Sequence, residues 1–175
     1  MSMMDAILEY NKTFVEEKKY EQFQTTKFPN NKLVILTCMD TRLMELLPRA
    51  LNLSNGDAKI IKNAGAVISH PFGSIMRSII VSLYELQAQE VAIIGHYDCG
   101  MTGLQSKTIL EKAKAHDLDM SNIEVAKYTG IDIDSWLKGF DRVEDNMRNS
   151  FDMVRRHALL PKNTPVHGLA ICPET

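Results

Sequence analysis

Two short polar clusters carry the residues whose types and spacing could do chemistry. The first, Cys38–Arg42 (CMDTR), places a thiol, a carboxylate and a guanidinium at alternate positions. The second, His96–Gly100 (HYDCG), places an imidazole and a thiol three positions apart. Thiolates and imidazoles are the ligands that zinc favours. If the two clusters meet in the fold, Cys38, His96 and Cys99 predict a zinc site with three protein ligands.

A zinc ion with three protein ligands keeps its fourth tetrahedral position open, which is typical of catalytic rather than structural sites. Such an ion brings a bound water to a pKa of about 7, so that hydroxide is available at neutral pH. Arg42 can hold Asp40 in a bidentate pair. Asp40 would then accept a hydrogen bond from this water or hydroxide and direct a lone pair toward the substrate. Alternatively, Asp40 released by Arg42 becomes the fourth ligand and closes the site.

Each of these residues also has a simpler interpretation when taken alone. Buried cysteines and histidines are common in protein cores, and an exposed Asp–Arg pair contributes little to stability. Two clusters at equivalent strand ends favour the metal interpretation. For the other residues of these types we predict a structural role: His70, His116 and His157 are solvated, whereas His167 and Cys172 are packed residues.

Both clusters directly follow a predicted buried strand, over 33–37 and 90–95 respectively. Strands that alternate with helices predict a parallel sheet with helices on its faces. In such sheets ligands bind beyond the carboxyl ends of the strands, where both clusters lie. We further predict a helix from Gly100 or Met101, whose N-terminal end would favour the thiolate of Cys99.

Hydrophobic periodicity and turn residues predict the remaining elements. Helices are expected over 3–20, 41–53, 73–87, 100–115 and 141–157, and strands over 33–37, 58–62, 90–95 and 166–172. The segment 116–138 is expected to be a loop with short helical pieces. A chain of 175 residues fits one domain. We therefore predict a single domain over 1–175, with an N-terminal helical arm over 1–28 and an α/β core over 31–175.

The composition narrows the classes of partner. A formal net charge of −2 and a pI near 6.2 argue against nucleic acid as a partner. We also expect no membrane partner, because no apolar run approaches the roughly 20 residues of a transmembrane helix. The N-terminus shows no signal-peptide pattern, so a cytoplasmic location is expected. The three cysteines cannot all pair with one another, which fits metal binding better than structural disulfides.

Several other chemistries fit the sequence worse. A cysteine phosphatase needs a CxxxxxR phosphate cradle, whereas only three residues separate Cys38 from Arg42. The HxE and PCxxC motifs of zinc nucleobase deaminases are absent. The sequence also contains neither a CxxC redox pair nor a GxxxxGK[ST] phosphate-binding loop.

The CMDTR and HYDCG clusters, together with the NAGA turn at 63–66, resemble the β-class carbonic anhydrases, in particular their small Cab-like prokaryotic branch. This resemblance implies a zinc enzyme, with one Zn²⁺ per subunit, that interconverts CO₂ and water with bicarbonate and a proton. Cys38, His96 and Cys99 match the zinc ligands, and Asp40 and Arg42 match the catalytic pair. The residues matching positions in or near the substrate pocket are Met39, Lys59, Ala64, Gly65 and Val81.

The resemblance also implies an architecture and an assembly. The expected fold is α/β, with a mostly parallel sheet of four to five strands in the order 2-1-3-4, flanked by helices. The expected assembly is a homodimer or larger homo-oligomer, with the active-site cleft at the interface and the N-terminal helix reaching over the partner. The segment 102–138 diverges from the family pattern. Two alternatives stay open: a hydrolase of COS or CS₂ that uses the same zinc site, and a catalytically silent zinc-binding homologue.

Overall fold

Four parallel strands form one sheet in the order β2-β1-β3-β4. They are β1 (Leu33–Cys38), β2 (Ala58–Asn63), β3 (Glu90–His96) and β4 (Val166–Ile171). Our computed structural model describes residues 2–119, 121–128 and 130–175, without the side chains of 126 and 127. Within these residues the predicted strand order 2-1-3-4 and the α/β fold class are confirmed.

The helices of the described residues flank this sheet or extend from it. They are α1 (Met3–Glu16), α2 (Leu43–Ala50), α3 (Ser74–Tyr84), α4 (Ser106–Ala115), α5 (Ser121–Lys127), α6 (Ile133–Leu137) and α7 (Val143–Arg155). The short helices α5 and α6 agree with the pieces expected over 116–138, although Met120 and Thr129 of that segment lie outside the described residues.

Several helices are shorter than their sequence patterns predict. α2 begins two residues late because the Asp40 carboxylate accepts the Arg42 backbone N–H at 2.9 Å and holds a turn there. The chain leaves α2 before Asn52, which adopts a left-handed φ of 52°. α4 begins at Ser106 rather than near Gly100, because the intervening residues form turns that include Gly103 at a φ of 70°.

The two central strands are buried over nearly their whole length. β1 is buried from Val34 to Cys38 and β3 from Val91 to His96. Such continuous apolar runs are typical of parallel strands covered on both faces. The larger core cluster packs residues of α3 and α7 against these strands, and a second cluster packs α2 against them. Cys38 and His96 thus end their strands inside the protein.

The N-terminal helix α1 makes no contribution to this core, since none of its residues, all of them described, is buried. A capping box between Ser2 and Asp5 begins it, and a left-handed φ of 53° at Lys18 ends the helical path. A ring contact at 6.4 Å between the centroids of Phe14 and Phe23 folds the following 3-10 turn back on it. Among the described residues, no helix is both long and apolar enough to cross a membrane. The predicted limits of the arm and core stay predictions.

Candidate metal centre

The predicted metal ligands come together at the carboxyl edge of the sheet. Cys38 is the last residue of β1, His96 is the last residue of the adjacent β3, and Cys99 follows three residues later. One donor atom from each of the three lies within 4.8 Å of the others, and all three side chains are buried. The Sγ atoms of Cys38 and Cys99 are 3.9 Å apart. This arrangement can hold one metal ion.

The orientation of His96 favours a metal ion in this space. Its Nδ1 lies 2.9 Å from the Tyr97 carbonyl oxygen, so this nitrogen carries the hydrogen and donates. The other ring nitrogen, Nε2, is then an acceptor, and it is buried without a hydrogen-bond partner among the described residues. A buried polar atom without a partner is costly. A zinc ion would satisfy Nε2, and the set of two thiolates and one imidazole is chemically suited to it.

A glycine-containing turn after β2 supports the Cys38 thiol. The Gly65 N–H donates to Cys38 Sγ at 3.3 Å, a contact that stabilises a thiolate. Gly65 has a left-handed φ of 73°, and a Cβ there would lie 2.8 Å from Phe140 Cε1 and 3.0 Å from Met101 Cγ. Both the backbone conformation and the close packing therefore require glycine at this position.

Two buried polar residues of α7 hold the same turn in place. Asn146 Nδ2 donates to the Gly65 carbonyl at 2.8 Å, and Ser150 Oγ donates to the Ala66 carbonyl at 3.2 Å. Both residues are at least 95% buried. The sequence interpretation missed them, although polar residues four apart on the apolar face of a predicted helix are a signal that could have identified them.

Cys99 differs from its predicted setting. It lies in a turn, seven residues before α4 begins at Ser106, so the prediction of a helix N-terminus at this thiol was wrong. Burial first, and the nearby Cys38 to a lesser extent, raise the pKa of the Cys99 thiol to about 11. A bound divalent cation would reverse this preference, since metal ligation requires the thiolate.

Asp40 pairs with Arg42 in this structure. The Asp40 carboxylate accepts Arg42 Nε at 3.0 Å and Nη2 at 2.9 Å, in the bidentate arrangement that the sequence predicts. These hydrogen bonds lower the pKa of Asp40 to about 2, so it is ionised at neutral pH. Its Oδ2 atom also lies 3.8 Å from His96 Nε2, next to the space between the three metal-ligand donors.

A second carboxylate, which the sequence interpretation missed, also binds Arg42. Arg42 Nη1 donates to Asp98 Oδ2 at 2.8 Å, and Nη2 donates to the Asp98 backbone carbonyl at 2.8 Å. Asp98 lies between His96 and Cys99 in the chain and adopts a left-handed φ of 54°. Arg42 therefore connects the loop after β1 with the loop after β3.

A cleft of about 380 Å³ opens onto two of the three candidate donors, Cys38 and Cys99. Besides Cys38, Asp40 and Cys99, it is lined by Met39, Thr41, Ala64, Gly65, Gly100 and Met101. Of the other predicted pocket residues, Lys59 lies near the start of β2 and Val81 lines a separate cavity of about 260 Å³ beside α3. Neither lines the cleft within one protomer, and their predicted role in the pocket stays a prediction.

Two histidines outside the site differ from their predicted settings. His157 is buried rather than solvated: its Nε2 donates to the Pro71 carbonyl at 2.8 Å, and its Nδ1 accepts the Leu159 N–H at 3.2 Å. His167 is exposed rather than packed, with its Nε2 3.1 Å from Glu90 Oε2. A cavity of about 670 Å³ beside His157 is larger than the cleft at the donors, but the described residues around it form no second cluster of metal ligands.

Comparison with known proteins assigns the chain to a family. The sequence profile of the carbonic anhydrase family matches residues 33–172. The crystal structure of β-carbonic anhydrase isoform I (TvaCA1) from Trichomonas vaginalis has a TM-score of 0.89 and 36% identity, covering 100% of this chain and 94% of that one. The chain belongs to the β-carbonic anhydrase family. The membership of this family that the CMDTR, NAGA and HYDCG motifs predict is thereby confirmed.

Two relatives add to this assignment. "Putative carbonic anhydrase YtiB" of Bacillus subtilis is 58% identical over 175 residues, which is 100% of this chain and 94% of the relative. A protein named carbon disulfide hydrolase from Acidithiobacillus thiooxidans is 27% identical over 163 residues, covering 89% of this chain and 80% of the relative. The family therefore includes relatives named for different substrates.

Proposed function

We propose that this protein catalyses the reversible hydration of CO₂ to bicarbonate and a proton, with one Zn²⁺ per subunit. One observation carries the proposal: His96 Nε2 is buried without a partner among the described residues, faces two thiols, and has the Asp40 carboxylate 3.8 Å away. The donors fit a zinc ion, and the carboxylate fits a group that orients a nucleophile beside that ion.

The chain's own residues support each part of this reaction. Cys38, His96 and Cys99 would hold the zinc ion, which would act as a Lewis acid and make hydroxide available near neutral pH. Asp40, kept ionised by Arg42, accepts a hydrogen bond and so directs a lone pair of the nucleophilic oxygen toward the carbon atom of CO₂.

The cleft suits an uncharged linear substrate. Several of its lining residues, including Met39, Ala64 and Met101, carry no charge. When the oxygen nucleophile attacks CO₂, one C–O bond forms and one C=O bond opens to give bicarbonate. A proton from the attacking water passes to buffer. No electron transfer or further co-reactant is needed.

Stopped-flow hydration of CO₂ by the zinc-loaded protein tests this proposal. We expect a rate above that of buffer alone, and we expect Cys38→Ser to lose both stoichiometric zinc and this rate. Cys172→Ser is the matched control, because that free thiol is not among the residues that line the cleft. If the wild-type protein carries zinc but gives no rate above buffer between about pH 7 and 9, where the hydroxide form is available, the proposal is wrong.

A second candidate substrate is favoured by the relative named carbon disulfide hydrolase. COS and CS₂ are linear heterocumulenes like CO₂, so the same nucleophile could attack their carbon atom. Sulfide release from COS or CS₂, without CO₂ hydration, would favour this alternative. A zinc-loaded protein that acts on none of the three substrates would instead be a catalytically silent homologue.

The surface of α1 supports a proposed assembly. Met3, Met4, Ile7 and Leu8 of this helix are each at least 50% exposed. Apolar side chains exposed in such numbers on one helix are typical of a protein–protein interface. We therefore propose a homodimer or larger homo-oligomer in which α1 packs on a partner subunit, and a cytoplasmic location for this assembly.

A further inference from the structure

Asp98 binds a different edge of the Arg42 guanidinium from the one that Asp40 binds. The Asp40 carboxylate accepts hydrogen bonds from the edge formed by Nε and Nη2. The Asp98 carboxylate accepts a hydrogen bond from Nη1, and the Asp98 backbone carbonyl accepts one from Nη2. Both contacts with Asp98 are 2.8 Å long, which is as close as the contacts with Asp40. The proposed function uses Asp40 and Arg42 but gives Asp98 no part.

The position of Asp40 depends on where Arg42 is held. Asp40 Oδ2 is only 3.8 Å from His96 Nε2, so an Asp40 carboxylate released by Arg42 lies next to the space that a metal ion would occupy. The Arg42 side chain is 39% exposed and has many rotamers, and ordering it costs conformational entropy. A second set of hydrogen bonds from another loop reduces the freedom of the guanidinium and keeps it where Asp40 can pair with it.

We propose that Asp98 is a positioning residue that fixes Arg42, so that Asp40 stays paired with Arg42 and leaves the fourth ligand position of the metal open. This inference rests on the proposed zinc site and concerns its regulation. Without the Asp98 carboxylate, Arg42 leaves its place more often and Asp40 competes with external ligands for the metal.

An opposite effect of Asp98 would be to attract Arg42 away from Asp40. The Asp98 side chain is 76% exposed, so solvent and salt screen its charge strongly. Its hydrogen bonds depend on geometry more than on long-range charge, and they leave the Nε and Nη2 contacts with Asp40 intact. The geometry therefore favours support over competition.

The backbone of Asp98 allows clean substitutions. Its φ of 54° is left-handed, a conformation that glycine adopts without strain and asparagine adopts more readily than most residues. Asp98→Gly thus removes the carboxylate while the backbone carbonyl keeps its contact with Nη2. Asp98→Asn keeps an oxygen that can accept the Nη1 hydrogen and serves as the conservative rescue.

The test measures access to the metal rather than catalysis. In the cobalt-substituted protein, thiocyanate is titrated against the visible absorption spectrum of the ion, which responds to the ligand in the open position. We expect Asp98→Gly to raise the thiocyanate dissociation constant about fivefold and Asp98→Asn to raise it by less than about twofold. The control is Asp152→Asn, which removes a carboxylate of α7 that lies 3.5 Å from Arg156. This variant should leave the thiocyanate dissociation constant unchanged.

A second variant separates competition by Asp40 from general loosening of the site. Adding Asp98→Gly to an Asp40→Asn background should leave thiocyanate affinity unchanged, because an amide is a poor competitor for the ion. An unchanged or tighter dissociation constant in Asp98→Gly alone would overturn the inference, as would an equal loss in both backgrounds. If the wild-type protein binds no cobalt, the proposed zinc site fails and the inference fails with it.

Discussion

The hydrogen bond from Asn146 to the Gly65 carbonyl yields a prediction that links helix α7 to the metal centre. Asn146→Ala leaves the buried Gly65 carbonyl without this donor, which costs about 1–3 kcal/mol of the free energy of unfolding. Alanine has a higher helix propensity than asparagine, which offsets about 0.6 kcal/mol of this loss in the free energy of unfolding. The net expected loss is about 1–2 kcal/mol, or a fall of about 2–8 °C in Tm for a chain of this size.

The same substitution should weaken zinc binding. Gly65 donates its N–H to Cys38 Sγ, so a turn that loses its anchor holds the thiolate less well. Removing a direct outer-sphere partner of a metal ligand typically costs about 10–100-fold in affinity; Asn146 acts one contact further out, through Gly65, so we expect the low end of that range, about tenfold. Urea unfolding of the metal-free protein gives the stability, and competition with a chromophoric chelator gives the zinc affinity.

Asn149→Ala is the matched control for this experiment. Asn149 is the same residue type on the same helix but is exposed. Its replacement therefore brings the gain in helix propensity without the loss of a buried hydrogen bond. If Asn146→Ala proves as stable and binds zinc as tightly as Asn149→Ala, α7 does not support the site and the reasoning is refuted.

Four further predictions concern the site and the arm. Asp40→Ala should keep stoichiometric zinc but lower the rate of CO₂ hydration by about 100-fold or more, as measured by stopped flow. Since Arg42 lowers the pKa of Asp40 from 3.8 to about 2, metal-free wild-type protein should exceed Asp40→Asn in stability above about pH 4 and lose this advantage as the pH falls toward 2 in acid titrations. A thiol reagent should modify only Cys172 in the zinc-loaded protein, and chelation should expose the two site thiols to it. Replacing Ile7 and Leu8 with serine should lower the molar mass measured by light scattering toward that of a monomer, while unchanged mass would argue against the arm as the interface.

The main features of the fold and the candidate set of metal ligands follow from local sequence. β1 and β3 are continuous apolar runs that end abruptly in polar residues, and parallel strands bring those ends to one edge. The three candidate ligands are therefore identifiable from the sequence alone. The Asp40–Arg42 pair was also predictable. The two residues are only two positions apart in the loop after β1, so their side chains can reach each other.

The features that escaped prediction depend on contacts between distant parts of the chain. The helix expected from Gly100 fails to form there because the Gly103 N–H donates to the Phe140 carbonyl at 2.8 Å and Thr102 forms a bridge with Phe140. Asp98 looks like an ordinary exposed acid in the sequence, and only its left-handed backbone directs it toward Arg42. Its role requires the packing of two loops, which no local pattern encodes.

The separation of the ligands along the chain has a consequence for how the metal is acquired. Cys38 and Cys99 are 61 positions apart, and α2, β2 and α3 separate β1 from β3 along the chain. Closing a loop of this length in the unfolded chain costs about 4 kcal/mol of entropy, and the pairing of β1 with β3 in the folded sheet removes this cost from metal binding. The folded protein should therefore bind the metal more tightly than the unfolded chain does, and the bound metal should act as a cross-link between β1 and β3 that slows their separation.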